Sequence, residues 1–416
     1  MTLNILIAPS GFKESLDAEQ VADCIATGIT RVLPDVNICK APLVDGGEGF
    51  TKTLVAATAG TLHHLEVTGP VGKKVKSHFG FLGGTTKKTA VLEMAAAAGL
   101  RLVPSDMRNP MITTTYGVGE LIKAALDAGA ERILVGCGDS GTNDGGAGMA
   151  QALGVKLLDE DGNELGLGCG ELIKLKRIDL SGRDSRLNQV EIDVACNWHN
   201  VLCGDKGVAR VFGPQKGASA ATVEAMASAL EHYAAVIRAD LNIDVGQMAG
   251  GGASGGLGTG LHALIGAKLY SRYDIVMQYL ELDNLIPKAD LVITAEGCID
   301  FQTPRGKIPA EVAKRAKRYN LPVIALVGTI GKGAEINFQQ GIDYFNSILT
   351  HPCQLSEAIS QTSTLLTNAA EQVARLLLVG RQIRSFKSQV NIPYKKQATR
   401  FKTKNSSSFR EASYRR

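Results

Sequence analysis

The strongest constraint on this chain is a recurring unit: a short apolar run that stops at a glycine-bearing polar loop, after which helical periodicity begins. Leu3–Ala8 ends at Pro9-Ser10-Gly11, and 37–42 leads into Asp45-Gly46-Gly47-Glu48-Gly49. Arg132–Val135 leads into Gly136–Gly146, Val190–Ala195 into Cys196–Gly217, and Leu291–Thr294 into Glu296–Lys307. Apolar runs of this length read as buried strands, and their alternation with helices predicts largely parallel sheets covered on both faces. Further strands are expected at 155–158, 323–327 and 344–348. Helices are expected at 17–33, where Asp17 and Gln20 are spaced as a capping box, and at 219–239, 308–319 and 355–380. Between 62 and 94 the rhythm changes to three strands, 62–68, 75–82 and 89–94, with no helix between them. That change marks the start of a mixed α/β insertion.

Composition narrows the function classes. The 416 residues, 44% hydrophobic and 21% charged, suffice for two domains and exclude a disordered chain or a coiled coil. The 47 glycines follow no Gly-X-Y period, so they serve turns and close approaches. The net charge of +4 is unevenly held. Residues 385–416 carry nine Lys or Arg against Glu411 alone, leaving 36 basic and 40 acidic side chains in the remainder. An acidic body is not expected to bind nucleic acid; 385–416 reads as a basic, disordered tail. The eight cysteines include no C-x-x-C pair, which predicts free thiols in a reducing compartment. With no basic segment before the first apolar run and no apolar stretch of membrane-spanning length, the expectation is a cytoplasmic protein without membrane partners.

In open parallel sheets ligands bind beyond the carboxyl ends of the strands. The residues found there are Ser10 and Lys13; Asp45 and Glu48; Asp139, Ser140, Asn143 and Asp144; Asn197, His199 and Asn200; and Glu296, Asp300, Gln302, Arg305 and Lys307. Each such loop alone could be a turn or a helix cap. Together they suit Mg²⁺, which takes oxygen ligands and keeps part of its shell as phosphate and water. Glycine-loop amides suit phosphates. Lys13, Lys307 or Lys332 could neutralise a phosphoryl group in transfer, and an Asp could deprotonate a hydroxyl. The residues therefore point to phosphoryl transfer onto a small hydroxylated substrate. Gly136–Gly141 also fits G-x-G-x-x-G, the fingerprint of a nicotinamide-dependent oxidoreductase, although Thr142-Asn143-Asp144 delays the helix. No P-loop motif occurs.

Five blocks, Ala8-Pro-Ser-Gly-Phe-Lys-Glu-Ser-Leu16, Asp45-Gly-Gly-Glu-Gly49, Thr142-Asn-Asp-Gly-Gly-Ala-Gly-Met149, Val211-Phe-Gly-Pro-Gln-Lys-Gly-Ala218 and Glu296 to Pro309, resemble the bacterial type-I glycerate kinase family in order from residue 3 to about 380. The resemblance implies ATP- and Mg²⁺-dependent phosphorylation of D-glycerate, usually to 2-phosphoglycerate, with a kinase of a related hydroxy acid as the alternative. It also implies a flavodoxin-like parallel-sheet domain from both chain ends, 1–65 and 285–384, an inserted α/β domain at 66–284, and an active site in the cleft. The chain departs from the family's usual pattern at Ser10-Gly11, at Asn197-Trp198-His199 and at Ala295 and Cys298. The expected catalytic residues are Asp45, Lys13 and Asp300. Ser10, Asn143, Asp144, Asn197, Lys216 and Lys307 are expected at substrate or phosphate, and Asp45, Asp144 and Glu296 at metal. The oligomeric state is left open.

Overall fold

The structure, a computed structural model, describes residues 2–12, 15–44 and 46–389, with the backbone alone for 384–389. In chain order the elements are β1 (Asn4–Ile7), α1 (Ala18–Thr30), β2 (Asn37–Lys40), α2 (Phe50–Ala57), β3 (Thr61–Thr68), β4 (Lys74–Phe81), β5 (Thr89–Glu93), α3 (Ala95–Ala98), α4 (Tyr116–Asp127), β6 (Arg132–Gly136), α5 (Ala147–Ala152), β7 (Lys156–Leu158), β8 (Arg177–Asp179) and β9 (Glu191–Cys196). There follow α6 (Val208–Phe212), α7 (Ala220–Leu241), α8 (Ala253–Ile265), β10 (Lys268–Ser271), α9 (Arg272–Tyr279), α10 (Leu282–Leu285), β11 (Leu291–Ile299), α11 (Ile308–Lys317), β12 (Val323–Ile330), β13 (Tyr344–Ser347) and α12 (Leu355–Gln389).

Two large sheets result. The first is all parallel, ordered β13-β12-β11-β1-β2. Counted along the chain this is the order 2-1-3-4-5 of flavodoxin-like folds, with its switch point between β1 and β11. The second is mixed: β10-β9-β6-β5 run parallel, and β4 and β3 close the edge antiparallel. The 155–158 strand joins neither large sheet; as β7 it pairs with β8, and Leu158 also bridges to Glu164.

Strand alternation shows how the sheets are covered. Ile5, Ile7, Leu291 and Ile293 turn outward onto α1 and α12. Leu6, Val292 and Val323 turn inward and share one apolar cluster with Phe50 and Leu54 of α2, Val312 of α11, and Val91, Leu134 and Ala195 of the second sheet. Ala90, Leu92, Ile133, Val135, Ile192 and Val194 face the other way, against α4, α5, α7 and α8. The molecule is thus layered helix, sheet, helix, sheet, helix, and its middle helical layer serves both sheets. The boundary drawn between 65 and 66 falls inside β3, all eight of whose residues pair with β4. The boundary between 284 and 285 falls inside α10.

Local signals explain several helix ends. Asp17 caps α1 by accepting from Gln20 N–H while the Gln20 side chain accepts from Asp17 N–H, as the spacing predicts. The glycine-rich 250–260 segment is the start of α8, entered through Ser254, Gly255 and Gly256 in left-handed conformations. Helix α12 runs on through Gln389, so the expected disorder from 385 is not found up to that point; the rest of the basic tail lies outside the described residues.

Candidate active site

The carboxyl ends of the two sheets meet at the loop after β2. A Cβ on Gly46 would lie 3.0 Å from the Ala195 carbonyl, and one on Gly138 would lie 2.6 Å from Gly47 Cα. Only glycine permits that approach of the β2 and β6 loops. Two carboxylates of the second sheet's loops then hold the segment. Asp139 accepts from Glu48 N–H at 2.9 Å, and Glu93, at the end of β5, accepts from Gly49 N–H at 3.1 Å and Thr51 N–H at 2.8 Å. Glu93 therefore caps α2 across the sheets. It is 1% exposed, and burial pushes its carboxyl up against the lowering effect of those two amides. His78 stands 4.0 Å away. Burial foremost, then Lys52, His64 and Arg101, pull its imidazole down to about 4, so it is neutral at neutral pH. Neither Glu93 nor His78 was singled out from sequence. For Glu93 a signal existed: it is the acid that ends the apolar run 89–92. Glu48 itself pairs at 2.9 Å with Arg101 on the surface. Asp45 and Lys13, the first two catalytic candidates, lie outside the described residues.

On the first sheet, Ser10 sits at the switch point but is spent on the backbone. Its N–H and Oγ both donate to the Ala295 carbonyl, at 2.8 and 3.0 Å. Glu296 shares with Val292 the face of β11 turned toward the second sheet. Beyond the strand, Asp300 Oδ1 accepts from Gln302 N–H (2.8 Å), Thr303 N–H (3.1 Å) and Lys307 Nζ (3.3 Å). Burial would raise this carboxyl, but the Gln302 amide and Lys307 hold it below the usual carboxylate range. Lys307 also reaches the Cys298 carbonyl at 3.2 Å and precedes α11. The Asp300–Lys307 pair is thus an ionised, partly open unit at a strand's carboxyl end. Lys332 is exposed and contributes its carbonyl to Phe301 N–H.

Asp144, Asn143 and Lys216, three of the expected ligand residues, lie buried and bonded within the fold. Asp144 is 0% exposed, and its oxygens accept from Thr115 N–H (2.7 Å), Thr115 Oγ (2.8 Å), Gly146 N–H (3.2 Å) and Gly148 N–H (3.2 Å). With these bonds made and no exposed surface, Asp144 ties α4 to α5. Lys216, 2% exposed, donates to Ser140 Oγ, the Thr142 carbonyl and Asn143 Oδ1 at 2.9, 2.6 and 2.7 Å. Burial among these neutral oxygens pulls its ammonium down to about 7, with Asp144 and Cys169 opposing the shift. Asn143 is equally buried, and its amide nitrogen meets no hydrogen-bond partner among the described residues. Lys216 and Asn143 therefore set the shape of the β6 loop from behind.

A groove of about 980 Å³ opens beyond β9 and β10, lined by Asn197, Trp198 and His199 on one side and by Tyr273, Arg305 and Gly306 on the other. Asn197 is the one expected binding residue that lines it, its Oδ1 accepting from His199 N–H at 3.1 Å. The Gly136–Gly141 motif forms no dinucleotide turn: helix α5 begins only at Ala147, and Gly141 N–H is bound to the Ala98 carbonyl. Among the described residues, no three His, Cys, Asp or Glu side chains gather as a metal cluster, and no helix is long and apolar enough to cross a membrane.

Comparison with known proteins agrees with this geometry. A sequence profile of the glycerate kinase family matches residues 5–378. A glycerate kinase of Halalkalibacterium halodurans is 47% identical over 370 residues, 89% of this chain and 97% of the relative. A glycerate 2-kinase of Escherichia coli is 46% identical over 378 residues, 91% of this chain and 99% of the relative. A solved chain from Salmonella typhimurium LT2, described as a glycerate kinase 2, superposes with a TM-score of 0.82 at 46% identity, covering 92% of this chain and 100% of that one.

Proposed function

The chain belongs to the glycerate kinase family, and from that premise we propose that it transfers the γ-phosphoryl group of ATP to a hydroxyl of D-glycerate, giving 2-phosphoglycerate and ADP. The observation that carries this reading is that loops at the carboxyl ends of both sheets come together, the β2 loop packed on the ends of β6 and β9, and the β9 loop across one groove from Arg305-Gly306, which leads into the Asp300–Lys307 pair. Phosphoryl transfer asks mainly for positioning and charge stabilisation, which such loops supply. The acceptor oxygen bonds to the γ-phosphorus as the bond to the bridging oxygen breaks, and the hydroxyl proton passes to a carboxylate. Asp45 is the proposed base, with Asp300 holding Lys307 toward the transferring group and Lys13 at phosphate or the substrate carboxylate.

Mg²⁺ is held in such sites by one or two carboxylates together with substrate phosphate, so no protein cluster of three acids is needed. Glu296, on the inward face of β11, and Asp45 would hold it; the ion supplies charge neutralisation on the phosphates. One domain per sheet, the first built from both chain ends and the second inserted, remains the proposed division. The eight free cysteines fit a cytoplasmic enzyme. Incubation of the purified chain with Mg-ATP and D-glycerate, followed by phosphorus NMR, tests the reading. ADP with 2-phosphoglycerate is expected. Phosphorylation of another hydroxy acid in preference would reassign the acceptor, and no ADP with any acceptor would end the proposal.

A further inference from the structure

We propose that the groove beyond β9 and β10 is the nucleotide subsite, with the adenine base at its Trp198 end and the phosphates at its Arg305 end. The inference rests on the kinase reading and assigns one of its two substrates to a place. Size is the first argument. About 980 Å³ lies near the top of the roughly 300–1,000 Å³ range of small-molecule sites, and a small hydroxy acid would leave most of it to water.

Surface chemistry is the second argument, and it differs between the two ends. Trp198, the only tryptophan of the chain, is 44% exposed in the groove wall, and Tyr270 lines the same cavity. Flat aromatic surface kept open in this way suits a purine, whose π-face stacks on such rings. Toward the other end the groove is cationic. Its acids are already engaged, Glu311 by Lys314 at 2.7 Å and Asp274 by Arg315 at 2.7 Å. Arg305, whose guanidinium lies 5.7 Å from the Phe301 ring centre, meets no carboxylate among the described residues. A bidentate guanidinium is the side chain best matched to phosphate oxygens.

Position is the third argument. Gly306, which lines the groove beside the Tyr273 ring, is followed directly by Lys307, the partner of Asp300. A nucleotide seated with its base at Trp198 therefore points its phosphates toward that pair. The acceptor is left the space nearer the β2 loop, where, among the described residues, nothing lies within 4 Å of a Cβ added at Gly49.

The single tryptophan makes the test direct. Full-length protein is titrated with N-methylanthraniloyl-ATP, and energy transfer from Trp198 is followed, with unlabelled ATP and D-glycerate as competitors. Saturable transfer that ATP displaces and D-glycerate does not is expected. In steady state, Trp198→Ala and Arg305→Gln should each raise the KM for ATP about tenfold, the loss of one stacked base or one charged contact, with the KM for D-glycerate unchanged. Displacement by D-glycerate alone, a rise in the D-glycerate KM alone, or no response of Trp198 to nucleotide would overturn the assignment. The kinase reading fails separately: nucleotide bound at Trp198 with no acceptor phosphorylated would sink that reading and leave the subsite standing.

Discussion

Lys216 holds an ammonium among three neutral oxygens, and that choice of partners has a measurable sign. Its folded-state pKa of about 7 is lower than the ordinary lysine value of about 10.4 shown by an unfolded chain. Between those values the unfolded state binds the extra proton, so this residue's contribution to stability rises with pH there, having been fully lost once pH has fallen to about 7. Denaturant titrations of the wild type and Lys216→Met from pH 6 to 10 should show the wild type gaining on the variant as pH rises. A constant difference would mean the ammonium is not desolvated. The residue scale is also where sequence reading fared unevenly. Asp300 and Lys307 were legible because a carboxylate and a cation seven apart follow a strand and precede a helix. Asp144 and Lys216 stand in equally polar, glycine-bearing motifs, yet their contacts are with Thr115, Thr142 and Ser140 across the fold. Such contacts depend on packing between distant segments, and no local spacing encodes them.

At the scale of elements, apolar runs marked nearly every strand, because a strand covered on both faces must be apolar throughout. Helix α4 drew no expectation. Its buried Val118, Leu121, Ile122 and Ala125 have helical spacing, but its start carries no capping signature: Thr115, the residue at the N-cap, gives its hydroxyl to Asp144 instead. Glu93 ties the start of α2 to the second sheet. Replacing Glu93 by Gln keeps the size but turns an amide donor toward Gly49 or Thr51 N–H, leaving a buried group unpaired at a cost of about 1–3 kcal/mol. Because those amides belong to the loop that bears Asp45, the loss should appear as kcat/KM reduced roughly tenfold while the far-UV spectrum stays that of the wild type. Unchanged kcat/KM would show that the loop holds its shape without Glu93, through Asp139 and the glycine contacts alone.

The two sheets present their carboxyl ends together at the candidate site, and the middle layer of helices packs against both of them. Helix α12 buries Leu366, Ala370, Val373 and Ala374 against the first sheet and still packs Leu377 and Leu378 on it, whereas Val379 and Ile383 are about half exposed. The family match ends at 378, and the relatives are covered over 97–99% of their own length while using 89–91% of this chain. A chain ended after Arg384 loses nine basic residues and one acid, and its net charge passes from +4 to −4. It should therefore move from cation- to anion-exchange retention at pH 7 and keep kcat and both KM values within about twofold, since screening leaves exposed charge little reach beyond roughly 10 Å. A substantial fall in kcat would place the segment in the catalytic cycle, and a selective rise in the ATP KM would show that it serves the nucleotide.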